Sequence, residues 1–315
     1  MKKTVCILVL VLIVCMCVPA CADLEGIYIR EEDGGEFRPL PISLEGGSSL
    51  PSQYRYNKQY QVYEDPTIRV ERYRVEKSQW DAVYYYAIIT VRDASQLRTA
   101  SADDTFISSS RTPVRNMARR KNAVIAVDGD YCAAFSGNRS QNYILRQGTV
   151  YRDTVEKGLD LLLIDEDGDF HVITADEDLE AADKTQYNGK KSVNVLQFGP
   201  ALVIDGKPVE DGKILDYSHS PAYSEPDRLN QRMAIGQIGP LQYIVVCCAH
   251  YGLNLVDFRD MAMSIAPVQV LYMLDGGNST QMVFLNSRIN NVSAGGADDR
   301  PVTDIVYFAS AWFRD

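Results

Sequence analysis

The sequence has few cations, few histidines and, after its first 21 residues, few cysteines. Lysine and arginine number 32 against 42 aspartate and glutamate residues, so the 315-residue chain has a formal net charge of −10. Proteins that hold the phosphate backbone of nucleic acids carry basic faces, and this balance therefore argues against nucleic acid as a partner. The three histidines, His171, His219 and His250, do not favour a three-histidine zinc site, because His171 lies far from the other two in the chain.

Local motifs of several well-known enzyme classes are missing as well. The sequence contains no Gly-x-Ser-x-Gly elbow, no His-Glu-x-x-His pair and no glycine-rich loop ending in Gly-Lys-Ser or Gly-Lys-Thr. These absences argue against α/β-type serine hydrolases, zincin metalloproteases and P-loop nucleotide hydrolases. The composition, with 46% hydrophobic and 23% charged residues, is that of a globular protein and excludes wholesale disorder.

Cysteine is sparse beyond the N-terminal region. Four of the seven cysteines precede residue 22, which leaves Cys132, Cys247 and Cys248 for the rest of the chain. Three cysteines cannot form the multi-bridge framework of a small disulfide-rich domain. We expect three buried thiols that pack as small apolar side chains, with one bridge from Cys132 to Cys247 or Cys248 as the alternative.

The N terminus has the composition of an export signal. Lys2 and Lys3 precede an apolar run from Val5 to Val18, which is shorter than the roughly 20 residues that span a bilayer. Residues 1–22 are therefore predicted to be a secretory signal peptide, so that the protein is secreted, extracellular or held at the cell envelope. Cleavage within Ala20–Ala22 releases a plain secreted protein. The alternative is a lipobox ending at Cys21, whose acylation attaches the protein to a membrane.

The region after the signal differs in composition from the rest of the chain. Residues 23–61 contain acidic and glycine-rich stretches, Glu31–Gly35 and Gly46–Ser49, with little apolar periodicity. This region is predicted to be a poorly ordered lead-in. From residue 62 onward the pattern is that of a folded protein without a linker rich in proline or serine, and we expect residues 62–315 to form one domain.

Most of this domain has the pattern of β-strands. Thr67–Val75 alternates apolar and charged residues, as a half-buried strand does, and Val83–Val91 is a run of β-forming residues suited to a strand covered on both faces. Asp167-Gly168 and Asp205-Gly206 each lie between two apolar runs and predict β-hairpins. Because strands outnumber helices and cluster in hairpins, the predicted fold class is α+β, a single domain with a mixed, strand-rich curved sheet and a few packed helices.

Two helices have clear starting signals. Thr112 is a suitable N-cap with Pro113 at the first helical position, and Asn122 can end that helix. Asn254 is expected to cap a second helix, which runs to Ile265 and has one apolar face.

Asp165, Asp167 and Asp169 have the spacing of the first ligands of a calcium loop. Such a loop needs glycine at its sixth position and glutamate at its twelfth, where this chain has Phe170 and Asp176. Residues that favour β-strands flank the segment on both sides. A hairpin turn is therefore the favoured interpretation, and calcium-dependent adhesion is the alternative.

Two segments carry more polar residues than a turn needs. One apolar strand runs into Asp128-Gly129-Asp130, and another runs into Asp275-Gly276-Gly277-Asn278-Ser279-Thr280. A carboxylate at a strand end, followed by glycines, lets backbone amides approach a ligand closely. Arg232, which precedes a short apolar strand, can hold a planar or tetrahedral anion. His250, at the end of a strand, is a further candidate for the edge of a site.

An ordered set of segments resembles the phosphodiester glycosidase family. The similarity covers about residues 65–312 and includes Asp128–Tyr131, Phe198–Leu202, Arg232–Gly236, Gly252–Leu255, Leu274–Thr280 and Asp299–Val302. Each segment is short, but a Leu-Asp-Gly-Gly segment that follows an Arg-x-Ala-Ile-Gly segment at this spacing is fairly specific. Members of this family hydrolyse the bond between the anomeric carbon of a sugar and a phosphodiester.

The resemblance implies an exported glycosidase whose partner is a sugar-phosphate or phosphoglycan substrate of the envelope or the extracellular space. The leaving group, a phosphate monoester, is a weak base, so the site must mainly stabilise an oxocarbenium-like sugar and hold an anion. Asp275 would act as nucleophile or general base, and Asp128 or Asp130 would assist as acid/base or bind sugar hydroxyls. The residues expected to bind the phosphate or shape its pocket are Arg232, Arg300, His250, Gly276, Gly277, Asn278, Ser279 and Thr280.

Three positions depart from the family pattern. The chain has Asp128 where the family usually has asparagine, Asn278 in place of a third glycine, and Asp299 in place of glutamate. A non-catalytic carbohydrate-binding or envelope-structural protein on the same scaffold is therefore the alternative function. No cofactor is implied with certainty, and the carboxylates of Asp128, Asp130 and Asp275 leave a divalent cation, calcium or magnesium, open as an alternative.

Overall fold

The computed structural model of the protein describes residues 34–43, 61–76, 78–130, 142–217, 226–248, 251–290 and 299–314. Within these residues the strands are β1 Gly35–Phe37, β2 Val62–Asp65, β3 Ile68–Val75, β4 Tyr84–Val91, β5 Leu97–Ser101, β6 Ala123–Asp128, β7 Ile144–Arg146, β8 Thr149–Arg152, β9 Leu161–Asp165, β10 Phe170–Ile173, β11 Gln186–Tyr187, β12 Lys190–Gln197, β13 Ala201–Ile204, β14 Lys207–Pro208, β15 Met233–Gly239, β16 Gln242–Cys248, β17 Val270–Met273, β18 Met282–Phe284, β19 Ser287–Arg288, β20 Asp304–Ala309 and β21 Trp312–Arg314. The helices are α1 Val114–Arg120, α2 Asp211–Leu215 and α3 Leu255–Ile265.

The described strands form four sheets. The largest has the order β14-β13-β17-β15-β16-β4-β3-β2, and a five-stranded sheet has the order β19-β18-β6-β20-β5. A six-stranded sheet has the order β10-β9-β12-β7-β8 with β11 beside β12, and β1 pairs with β21. The α+β class and the single strand-rich domain are confirmed. The described pairings are all antiparallel instead of mixed, because hairpins such as β9–β10 and β15–β16 join neighbouring strands.

The main core lies between these sheets. In β4, Tyr85, Ala87 and Ile89 point into a cluster that also contains residues of β6, β9 and β20. The alternate residue Tyr84 joins a second cluster, in which the outer face of the eight-stranded sheet packs against α3. Because successive side chains of a strand lie on opposite faces, this alternation buries both faces of β4, as the sequence predicted.

The two predicted helices form, with one correction. Asn254 caps α3, since its side-chain oxygen accepts a hydrogen bond from the Asp257 amide at 2.8 Å, and the helix ends at Ile265 as predicted. For α1 the cap position is Pro113 instead of Thr112, and no side-chain cap is present. Thr112 is held by a β-bridge to Val302, so its backbone belongs to a strand pairing and not to the helix start.

Residues 34–43 of the predicted lead-in pack against the domain, and the poor order of residues 23–61 as a whole stays a prediction. Strand β1 pairs with β21, and Leu40 is 2% exposed against the cluster that α1 covers. The polar composition of this segment does not predict either the burial of Leu40 or the pairing of β1 with β21. The signal peptide 1–22 and residues 23–33 and 44–60 of the lead-in lie outside the described residues. None of the described helices has the length and apolar character needed to cross a membrane.

Two of the three predicted thiols are buried as expected. Cys247 and Cys248 are free cysteines on β16, and both side chains lie in the apolar clusters. Burial raises the pKa of the Cys248 thiol to about 11 and also raises the pKa of Cys247. These thiols are therefore small core residues, and Cys132 lies outside the described residues.

Candidate active site

Three loops meet because of how the central strands of the largest sheet pair. Strands β15 and β17 are antiparallel, so Arg232, just before β15, lies beside Asp275, just after β17. The Leu274 amide closes this junction by donating to the Met233 carbonyl at 2.9 Å. Strand β13 is also antiparallel to β17, and the Met273 amide donates to the Pro200 carbonyl at 3.1 Å. Strand register alone therefore brings together strand ends that lie more than 40 positions apart in the sequence.

The Asp275 loop is also tied to the five-stranded sheet. The Asp275 amide donates to the Gly129 carbonyl at 2.9 Å, which places the ends of β6 and β17 next to each other. An ideal Cβ added to Gly129 would lie 2.5 Å from a carboxylate oxygen of Asp304. Only glycine therefore fits at the end of β6 beside the Asp304 side chain of the neighbouring strand β20, which explains the residue that follows Asp128.

The loops enclose a pocket of about 270 Å³. Its walls include six of the residues predicted from the sequence, Arg232, Asp275, Gly276, Gly277, Asn278 and Arg300. Phe198, Gly199, Pro200, Tyr217, Asn230 and Leu255 are among the remaining lining residues. The pocket therefore combines one carboxylate with two guanidinium groups at the end of β17.

Asp275 is the half-buried carboxylate of this pocket. Burial raises its pKa, and a hydrogen bond from the Ser279 side chain, the nearby Arg300 charge and the Gly276 amide oppose that rise. A carboxylate with a raised pKa, bordering an open pocket, can act as a base or a nucleophile at a mildly acidic to neutral pH. Ser279 itself is 2% exposed and lies beneath the loop, so it supports Asp275 instead of lining the pocket.

Arg232 lines the pocket but uses part of its guanidinium to hold the protein. Its Nε donates to the Leu253 carbonyl at 3.1 Å, and Nη2 donates to the Arg228 carbonyl at 2.9 Å. These two donors form one edge of the guanidinium fork, so a bidentate contact with phosphate through that edge is not available in this arrangement. Burial lowers the pKa of Arg232, which nevertheless remains a cation at neutral pH.

The glycines after Asp275 let the loop approach the strand that precedes β15. The Gly277 amide donates to the Gln231 carbonyl at 2.8 Å, and Gly277 has a φ of +59°. A Cβ on Gly276 would lie 2.9 Å from the same carbonyl. Gly276 is therefore required by close backbone contact and Gly277 is favoured by its positive φ. Asn278, which follows them, is exposed at the pocket.

Asp130 lies in a buried ion network that the sequence did not predict. Its Oδ2 is 2.8 Å from Nη2 of Arg146 and accepts a hydrogen bond from the Gln197 amide at 3.0 Å. The same Nη2 is 3.5 Å from Asp304 Oδ2. Asp130 and Arg146 are both fully shielded from solvent, so Asp130 cannot contact a substrate in the pocket. Two features of the sequence point to this network: Arg146 is a charged residue in the otherwise apolar strand β7, and Asp304 is a charged residue at the start of β20.

Asp128 is the other carboxylate behind Asp275. It is 0% exposed, and its Oδ1 accepts a hydrogen bond from the Gln281 amide at 2.8 Å. Its Oδ2 is buried without a hydrogen-bond partner among the described residues. Burial, followed by the charge of Asp275, raises the pKa of Asp128 well above its usual range, so this carboxyl favours the neutral form.

The other predicted residues lie beside or outside the pocket. Thr280 is fully buried, and its carbonyl accepts a hydrogen bond from Asn290 Nδ2 at 2.9 Å. Asp299 pairs with Arg115 at 3.0 Å and with Arg288, so it holds the segment before Arg300 and does not line the pocket. His250 lies outside the described residues.

No metal centre is formed by the residues that the structure describes. They contain no group of three or more His, Cys, Asp or Glu side chains arranged to hold a metal ion. At the hairpin that resembled a calcium loop, Lys190 Nζ lies 2.8 Å from Asp167 and 3.3 Å from Asp169. A cation of the chain itself therefore neutralises this turn, and the hairpin interpretation is confirmed by the pairing of β9 with β10.

Comparison with known proteins agrees with this architecture. The sequence profile of the phosphodiester glycosidase family matches residues 121–309, which include the β6, β15 and β17 segments of the pocket. The chain therefore belongs to the phosphodiester glycosidase family. A search of curated proteins finds no sequence that matches this chain.

Two solved structures share the fold. The catalytic domain of zebrafish N-acetylglucosamine-1-phosphodiester alpha-N-acetylglucosaminidase, auto-inhibited by its pro-peptide, superimposes with a TM-score of 0.60 at 14% identity, covering 92% of this chain and 99% of the zebrafish chain. A protein of Burkholderia pseudomallei described as exported gives a TM-score of 0.51 at 11% identity, covering 73% of this chain and 74% of its own. At these identities the likeness shows the fold alone.

Proposed function

We propose that this protein is an exported glycosidase that hydrolyses the bond between the anomeric carbon and phosphate in a sugar-1-phosphodiester of an envelope or extracellular glycan. The observation that supports this proposal is the meeting of Asp275 with Arg232 and Arg300 in one pocket. Family membership and the enzyme named for the zebrafish structure agree with this chemistry.

The pocket residues have two roles: positive groups hold the phosphate, and a negative group acts at the anomeric carbon of the sugar. Arg232 and Arg300 would attract the phosphodiester and stabilise the phosphate monoester as it leaves with the electrons of the broken C–O bond. Asp275 would attack the anomeric carbon or take a proton from the attacking water, and the oxygen of that water ends on the sugar.

The two buried aspartates would act through Asp275. Asp128, neutral behind it, limits the negative charge at the end of β6, so Asp275 can ionise next to it. Asp130 is held by Arg146 and would fix the end of β6 instead of touching the sugar. In this scheme Asp128 and Asp130 are positioning residues, and Asp275 is the catalytic carboxylate.

The deciding experiment compares turnover and folding of Asp275→Asn with the wild type. The substrate is the methyl phosphodiester of N-acetylglucosamine 1-phosphate, and the released sugar is measured. Loss of the carboxylate should lower turnover by about 100- to 10,000-fold, with little change in substrate affinity or in the melting temperature. Asp205→Asn is the matched control, since Asp205 is an exposed turn residue that does not line the pocket.

Each outcome separates the alternatives. Full turnover by Asp275→Asn would refute the assignment of this residue. Tight binding of the phosphodiester by the wild-type protein without hydrolysis would favour the non-catalytic carbohydrate-binding protein. Loss of activity together with a lower melting temperature would make Asp275 a structural turn residue.

Export rests on residues 1–22 and has a separate test. We propose that the signal is removed, leaving a secreted protein or one anchored through an acylated Cys21. Mass spectrometry of the mature N terminus distinguishes the two, because acylation adds lipid mass at Cys21. Retention of Lys2 and Lys3 in the mature protein would refute the signal peptide.

A further inference from the structure

A second cleft lies beside the active-site pocket. It has a volume of about 530 Å³ and shares Pro200 and Tyr217 with the pocket, so one wall separates the two. The volume is within the range of cavities that bind small organic ligands. A substrate longer than one sugar and its phosphate could therefore extend from the pocket into this cleft.

The shared wall is held rigidly. Tyr217 Oη donates to the Phe198 carbonyl at 2.8 Å and accepts a hydrogen bond from the Asp160 amide at 2.7 Å. The Asp160 carboxylate accepts hydrogen bonds from the amides of Ala175 at 2.7 Å and Ala201 at 2.8 Å. These contacts join four separate chain segments, so the cleft exists before any ligand arrives.

The cleft has an apolar floor and an acidic rim. Ile204, Val209 and Ile214 contribute apolar surface between the two walls. The charged residues that line the cleft are Asp160, Asp176, Glu210, Asp216 and Lys213. Lys213 is already paired with Asp176 at 3.0 Å, and the buried Asp160 carboxylate accepts two backbone amides. The exposed negative charge of the rim therefore comes from Glu210 and Asp216.

This charge is opposite to that of the neighbouring pocket, where two arginines accompany one aspartate. A second phosphate would be repelled by the acidic rim, whereas a cationic group would be attracted. The aliphatic floor suits the C–H face of a sugar ring. We propose that the cleft is a subsite for a glycan unit that carries a free amino group, adjoining the sugar phosphate of the substrate.

The subsite rests on the proposed glycosidase function, but its binding can be measured without turnover. The probe is a β-1,4-linked glucosamine trimer, titrated calorimetrically into the wild-type protein at low salt. The double variant Glu210→Gln/Asp216→Asn removes the rim charges while preserving side-chain size. The matched control, Glu180→Gln/Asp205→Asn, removes two exposed carboxylates that do not line the cleft.

The rim variant should bind the trimer about fivefold more weakly than the wild type, which is about 1 kcal/mol for the two exposed charges together. The control should bind like the wild type, and the fully N-acetylated trimer, which lacks the amines, should bind more weakly than the glucosamine trimer. Equal binding by the rim variant and the control would overturn the proposal, as would equal binding of the acetylated probe.

Kinetics separate this result from the main proposal. The rim variant should hydrolyse the methyl phosphodiester of N-acetylglucosamine 1-phosphate at the wild-type rate, because that short substrate does not reach the rim. If the wild-type protein fails to hydrolyse it, the glycosidase proposal fails, while the trimer titration still decides whether the cleft binds an amino-bearing glycan. A rim variant that loses turnover of this short substrate would place Glu210 or Asp216 in the active site and overturn the subsite.

Discussion

Replacing Arg146 by methionine should destabilise the protein by about 3–5 kcal/mol, the usual consequence of removing one partner of a buried ion pair. The guanidinium lies 2.8 Å from Asp130 and 3.5 Å from Asp304, and none of the three side chains is more than 1% exposed. Methionine can replace much of the apolar volume of the arginine side chain, but it leaves both carboxylates buried without this cation. The loss should therefore be electrostatic and not a cavity effect.

Thermal melting measures how far Arg146→Met destabilises the protein. In a domain of this size 1 kcal/mol shifts the midpoint by about 2–4 °C, so the variant should melt about 6–20 °C below the wild type. Arg98→Met is the matched control, since Arg98 is also buried but donates to the Tyr307 hydroxyl and to the carbonyls of Ser95, Pro41 and Ser43. Leaving a neutral acceptor without its donor lowers the free energy of unfolding less than leaving a buried carboxylate unpaired. The melting temperature of Arg98→Met should therefore fall less than that of Arg146→Met.

A second substitution tests the cause. Adding Asp130→Asn to Arg146→Met removes one of the two stranded charges and should recover at least about 1 kcal/mol of the loss, a coupling that contacting residues commonly show. If the double variant melts no higher than Arg146→Met alone, or if Arg98→Met falls equally far, the ion network does not stabilise the fold as argued.

Three further predictions follow from the site and the core. Ser279→Ala removes a hydrogen bond that favours the charged form of Asp275, so the pKa of Asp275 should rise further. The acidic limb of the turnover–pH profile should therefore move to higher pH, and an unchanged limb would contradict this role of Ser279. Gly252→Ala should lower the melting temperature more than Gly189→Ala. Both glycines have positive φ, but of the two only Gly252 would place a Cβ against a neighbour, the Asn230 carbonyl, and equal melting temperatures would contradict the argument. Cys247 and Cys248 should react with a thiol reagent only after unfolding in urea, and rapid reaction in the native protein would show that β16 is accessible.

Local patterns predicted the elements of this fold well. The Asn254 cap, the hairpin at Asp167-Gly168 and the doubly covered strand β4 follow from signals within a few residues of each other. The start of α1 failed because Thr112 forms a bridge to Val302, a contact that lies far away in the sequence. Local sequence therefore predicts a helix cap only where no distant contact engages the same residue.

The sequence predicted residues that line the pocket, but it did not predict the buried ion network behind them. Asp275 lies at a strand end before two glycines and three small polar residues, and Arg232 directly precedes a strand, so both positions stand out in the sequence. Arg146 and Asp304 lie in strands, and their meeting with Asp130 depends on how the six-stranded sheet packs against the five-stranded sheet. Since the sequence does not state which strands adjoin, it could not separate the carboxylate in the pocket from those behind it.

The position of β20 has a consequence for how the chain folds. Asp304–Ala309 lies between β6 and β5, although these strands come from the first half of the chain, so the five-stranded sheet has a gap until the last strands are made. Proteins dominated by such distant pairings fold slowly and expose apolar strands while they wait. Until residues 304–309 are synthesised, β5 and β6 therefore lack the strand that lies between them, and their apolar side chains stay available for aggregation or for binding by a chaperone.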